Sequence, residues 1–209
     1  LCDIESPVQP RKAHAVLLVL TLAMAVHSAA HAQKERPASS YAQAVGVPLN
    51  VIIVFGDPYN GGDELYDVKI TVAAVVRGEK AWQRVKGAGA GNKPPASGLE
   101  YLVARVRFEF SARTQPHHYD YTLDPAQFSA MSAATSPYRS ADLRAPLKPE
   151  LRGLIHSGDS TEGWVAFLIP RGDHTPLMVF REDVGSVIHQ GDASIFKLYD
   201  ENPAPQTKP

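Results

Sequence analysis

The chain has 209 residues, a formal net charge of −1 at pH 7 and one cysteine. That length allows one domain or two small ones, and the balanced charge gives no electrostatic footprint for nucleic acid or for an anionic membrane surface. With Cys2 as the lone thiol, intrachain disulfides, zinc fingers and intramolecular redox motifs are excluded.

In chain order, Arg11 and Lys12 precede a 12-residue apolar run, AVLLVLTLAMAV (15–26), and then the small-x-small triplet Ala30-His31-Ala32. This is the layout of a secretory signal peptide over residues 1–32, with cleavage expected between Ala32 and Gln33. The run falls short of the ~20 apolar residues that a spanning helix needs. The mature chain is therefore expected to be exported, periplasmic or extracellular, and soluble, with no transmembrane segment. Residues 33–48 are polar and rich in small residues and read as a flexible leader.

From residue 49 the pattern is strand after strand. LNVIIVF (49–55) is a short apolar run bounded by the turn cluster GDPYNGGDE. In LYDVKITVAAVV (65–76), Val68, Ile70 and Val72 alternate with Lys69 and Thr71. GEKAWQRVK (78–86) is the one helical stretch, a turn or two, with Ala81, Trp82 and Val85 on one face and Glu79 and Lys86 placed to suit the helix dipole. The GAGAG run (87–91) supplies slack, and Asn92 to Gly98, with Pro94-Pro95, reads as an extended connection. YLVARVRFEF (101–110) then gives the cleanest period-2 signal, with Leu102, Ala104, Val106, Phe108 and Phe110 on one face and Arg105, Arg107 and Glu109 on the other. Weaker strands are expected at 119–124 and 136–139, followed by GWVAFLIP (163–170), PLMVF (176–180) and ASIFKLYD (193–200). The tail 201–209, with three prolines, is expected to be disordered. One short helix among about eight strands predicts an all-β, two-layer antiparallel β-sandwich over residues 49–200.

The segments VVRGEKAW (75–82), Asn92, Pro94-Pro95, Gly98 and EYLVARVRFEF (100–110), with GDSTEGWVAFLIP (158–170) and PLMVF (176–180), resemble a family of secreted bacterial immunoglobulin-like domains of unknown function. Its members often carry the label "telomeric repeat-binding factor 2". The resemblance covers about residues 65–180. It implies an immunoglobulin-like sandwich, secretion and no catalytic residues. The lipid-acceptor cysteine that members often carry is missing, and neither charge nor motif supports the DNA binding that the label suggests.

Candidate chemistry is sparse. IIVFGDPYN (52–60) has Pro58 where a GDS-type esterase carries its nucleophilic serine. Gly158-Asp159-Ser160 has the letters, but no Asp-x-x-His follows. Asp57, Asn60, Asp63, Glu64 and Asp67 are hard oxygen ligands suited to calcium, at spacings that fit an acidic hairpin loop better than an EF-hand. Of His117 to Asp120, only His118 and Asp120 fall on one strand face, which is too few for zinc, and His156, His174 and His189 are scattered. Arg171-Gly172-Asp173 is an integrin-type tripeptide expected at a hairpin tip, where Gly and Asp are ordinary turn residues. Glu100, at a strand start, reads as a surface or ion-paired carboxylate. Trp82 and Trp164 read as core anchors, yet Trp164 is out of phase with Val165, Phe167 and Ile169, so if those face inward it is exposed or covers a sheet edge.

The sequence thus predicts a non-catalytic binding or envelope module whose partner is an unknown protein or envelope component, with no cofactor, metal or catalytic residue assigned. The alternatives are a calcium-stabilised adhesive module and a secreted enzyme without a recognisable motif.

Overall fold

The structure is a computed structural model that describes residues 38–56, 62–182 and 194–200. Among the described residues nine strands and one α-helix follow in order: β1 (Leu49–Phe55), β2 (Glu64–Arg77), α1 (Glu79–Ala88), β3 (Leu99–Ala112), β4 (Tyr121–Leu123), β5 (Phe128–Met131), β6 (Gly153–Ile155), β7 (Ser160–Pro170), β8 (Leu177–Phe180) and β9 (Ser194–Lys197). The fold is an all-β antiparallel sandwich. One layer is a four-stranded sheet in the order β1-β2-β3-β7, and the other holds a three-stranded sheet, β5-β8-β9, and a two-stranded one, β4-β6.

Alternation along β3 explains why the layers meet. Val106, Phe108 and Phe110 are fully buried while Arg105 and Arg107 between them are exposed, as the two-residue period of a strand requires. The inner face of the large sheet adds Val68, Ile70, Val72, Val165, Phe167 and Ile169, packed against Tyr121, Phe128, Met178, Phe180 and Phe196 from the opposing layer. Phe108 stacks on Tyr121 at 5.0 Å and meets Phe180 at 6.0 Å between ring centroids.

A bulge between Val72 and Ala74 shifts the β2–β3 register. An extra residue reverses which face later side chains occupy. Beyond it Val75 faces the inter-sheet core and Val76 faces the other way. There α1 lies on the outer face of the large sheet, burying Ala81 and Val85 against Tyr101, Val103, Trp164 and Leu147. Gly78 opens this helix at φ 66°, a left-handed conformation that suits glycine, and its amide donates to the Tyr101 carbonyl at 2.9 Å.

Several expectations need correction. Residues 42–46 belong to the sandwich and not to a flexible leader: Gln43 accepts from Lys197 N at 2.7 Å and donates to Ile195 O at 2.8 Å, extending the three-stranded sheet, and Ala42 is buried. Residues 136–139 form no strand, only a single bridge from Pro137 to Met131, with another just beyond them from Ser140 to Phe167. β5 and β6 were not expected, and α1, at ten residues, takes up Gly87 and Ala88 from the supposed slack. The 171–175 turn is not a hairpin tip, because β7 and β8 lie in different sheets. The expected signal peptide 1–32, its expected cleavage site and the tail 201–209 lie outside the described residues.

Candidate functional site

An open cleft of about 390 Å³ lies between β5, at the edge of the three-stranded sheet, and β7, at the edge of the large one. The chain from Tyr138 to Arg152 arches over it. The arch touches the free edge of β7 at two points, Ser140 opposite Phe167 and Glu150 beside Trp164, where Trp164 N donates to Pro149 O at 3.0 Å. Between those points the cleft is lined by the apolar side chains of Phe128, Ala130, Val165 and Phe167, and Leu147 of the arch packs in the cluster that holds Trp164.

Two local features hold the arch. Gly163 lets residues 150–151 approach β7 closely, since a Cβ there would lie 2.4 Å from Leu151 N and 2.6 Å from the Glu150 carbonyl carbon. Asn92, buried, fastens the segment to α1. Its side-chain amide donates to Val85 O at 2.8 Å and Ala145 O at 3.0 Å and accepts from Ala145 N at 3.0 Å. These bonds satisfy an amide whose burial would otherwise be costly.

At the lower end of the cleft Asp124 caps the 3-10 turn Pro125–Gln127, accepting from Ala126 N at 2.8 Å, while Gln127 answers by accepting from Asp124 N at 3.0 Å. The Arg152 guanidinium pairs with Asp124 and, at 2.9 Å, with Glu150, which also meets Lys148 at 3.4 Å. Glu150 and then Asp124 raise the Arg152 pKa above its ordinary value. At the upper end the Tyr138 hydroxyl donates to the Asp173 carboxylate, and burial together with that bond pushes the phenol well above the usual tyrosine range. Arg139 and Asp142 stand on the rim. Among the described residues Arg139 has no ion-pair partner within 4 Å.

The candidates that fall within the described residues have definite places. Trp164 is on the outer face of β7, out of phase with the core as anticipated, but α1 covers it and Arg84 sits 4.0 Å above its ring. Trp82 stacks on Tyr101 at 5.8 Å. Glu100 is ion-paired with Arg77, which also donates to Asp173 O at 2.8 Å. Asp173 of the Arg-Gly-Asp tripeptide is held by Tyr138 and by Thr175 N at 2.8 Å, so its carboxylate is turned into the fold. His118 and Asp120 do not share a site: His118 pairs with Glu64, and Asp120 with His156 at 2.9 Å. The supposed acidic loop divides. Glu64 and Asp67 are β2 residues committed to Tyr66 and Arg113, at 2.5 and 2.6 Å, Asp57 and Asn60 lie outside the described residues, and Asp63 precedes β2. The Tyr66 hydrogen bond and His118 lower the Glu64 pKa to about 2. Among the described residues no three His, Cys, Asp or Glu side chains converge as metal ligands, and no helix is long and apolar enough to cross a membrane.

Sequence reasoning did not single out Asn92 as a buried staple, nor Tyr138, Gln127 or Arg152. Only Gln127 had a local signal, the Asp-Pro-x-Gln of a capped turn with proline at its first position. Comparison with protein families, with curated proteins and with solved structures finds no match to this chain.

Proposed function

We propose that the chain is a non-catalytic, exported immunoglobulin-like module that binds a protein or envelope component through the cleft between β5 and β7. The observation that carries this reading is how the cleft's charges are used. Asp124 and Glu150 are taken up by Arg152, Lys148 and the capped turn, and Tyr138 by Asp173. These groups are bound to one another rather than poised for proton transfer, which would need a free base or acid aimed at a substrate. What is left facing outward is the two rim charges, Arg139 and Asp142, above an apolar lining of Phe128, Ala130, Val165 and Phe167 that is itself buried, a combination suited to contact with a partner. The family resemblance favours the same reading, and the antiparallel sandwich agrees in outline with the fold that it implies.

The test is capture from the envelope fraction with the wild-type protein and with two cleft variants. Ser129→Trp, at an exposed β5 position lining the cleft, fills it, and Arg139→Glu reverses the rim charge. The same partner should be retained by the wild type and lost by both variants at unchanged thermal midpoint. Retention by both variants would move the binding site elsewhere. Turnover of a substrate by the purified protein would replace the binding reading with an enzymatic one.

A further inference from the structure

The two larger sheets have four edges, and the chain treats one of them differently. The β9 edge is extended by Gln43, the β5 edge by Pro137 and Tyr138, whose amide donates to Ala130 O at 2.8 Å, and the β7 edge by Ser140 and Glu150. Beyond β1, among the described residues, no bridge forms on the side away from β2. Open edges are normally blunted by charge, proline, bulges or cover, because unpaired backbone groups recruit another strand. Among the described residues β1 shows none of these: its sequence is LNVIIVF, without charge or proline, and it pairs with β2 in unbroken register.

We infer that the open edge of β1 pairs antiparallel with β1 of a second copy of this chain. The strand is self-complementary about Ile52. Centred there, Ile52 faces Ile52 of the second copy, Val51 faces Ile53, Asn50 faces Val54 and Leu49 faces Phe55, so no charge meets a like charge. The large sheets would join into one of eight strands. The outer face gains an apolar strip, because Ile52 is 49% exposed and Leu65, opposite Val54 on β2, is 39% exposed. The nearest outward charge, Asp67, is already paired with Arg113. Across the twofold the two Asp67 residues would stand three strand spacings apart, about 14 Å, beyond the ~8 Å screening length at physiological salt.

Other segments fit the edge poorly. The tail ENPAPQTKP carries three prolines, which cannot donate to a ladder, and QKERP (33–37) carries charge. One strand pair and its apolar strip bury on the order of 800 Å² in total, at the weak end of specific contacts. The dimer should therefore be concentration-dependent.

Sedimentation velocity across a wide protein concentration range reads the association. The wild-type protein should shift from the mass of one chain toward two, and Ile52→Lys should stay at one with an unchanged far-ultraviolet spectrum. Register is read by disulfide trapping in a Cys2→Ser background. Ile52→Cys places two thiols directly opposite, within the Cα separation that a disulfide tolerates. It should cross-link under oxidation, whereas Asn50→Cys on the same strand and Leu154→Cys, exposed on β6, should not. A wild-type chain monomeric throughout overturns the inference, as does association that survives Ile52→Lys or equal cross-linking of the three cysteine variants. A monomeric chain that instead binds the free peptide LNVIIVF assigns the edge to a strand from another protein and also overturns the pairing of copies.

Discussion

Neighbouring residues on β3 have opposite fates, and the contrast is measurable. Phe108 is fully buried among Tyr121 and Phe180, and Arg107 beside it is exposed. Phe108→Ala should cost about 3–5 kcal/mol, as large aromatic truncations in cores do. Arg107→Ala should change stability by less than about 0.5 kcal/mol. Denaturant unfolding of the two variants gives both numbers, and equal losses would contradict the register. A second residue-scale test concerns pH. Asp120, through its hydrogen bond and its charge, raises the His156 pKa in the folded protein. A raised pKa means that the folded state holds the proton more tightly than the unfolded one. The stabilisation is thus complete below the unfolded value near 6.5 and is lost as pH rises through the folded value. His156→Gln should lower the thermal midpoint at about pH 5.5 and leave it nearly unchanged at about pH 9. An equal loss at both pH values would mean that the ring acts by packing and not by charge.

Individual elements were legible in proportion to how regularly their side chains alternate. β2 and β3 were readable because their residues alternate between the two sheet faces, and β1 because a short apolar run is bounded by turn residues. β5, Phe128–Met131, and β6, Gly153–Ile155, are short, and their pairing with β8 and β4 is decided by partners distant in sequence. Their few residues carry too little periodicity to show it. The arch over the cleft was illegible for the same reason: Asn92 and Ala145 are 53 positions apart and meet only in the fold. Trp164 was read correctly as out of phase with Val165, but its cover, α1, comes from a bulge-shifted part of the sheet that no local pattern reveals. Gly163 binds this element together. Gly163→Ala should push a Cβ into the backbone of residues 150–151 and cost about 1–3 kcal/mol, as overpacking does. Chemical denaturation reads the loss, and faster amide exchange at Trp164, whose amide bonds Pro149 O, would show the arch lifting.

At the scale of the whole molecule the large sheet is a wall between two unequal apolar compartments. The inter-sheet core draws on both layers, whereas the α1 compartment rests on one helix and the segment around Leu147. The outward middle of the wall is polar, with Lys69–Glu109 at 2.8 Å and Arg113–Asp67 at 2.6 Å lying where neither compartment reaches. The two compartments also differ optically. The chain has two tryptophans, and both belong to the helix side, Trp82 on Tyr101 and Trp164 beneath Arg84. Tryptophan emission therefore reports on whether α1 is docked, while the larger compartment is dark to it and is followed by circular dichroism of the strands. Because the thinner layer has less to hold it, the emission change should come at lower denaturant than the loss of strand signal, as separately opening units do. Coincident transitions would mean that helix and sandwich come apart together.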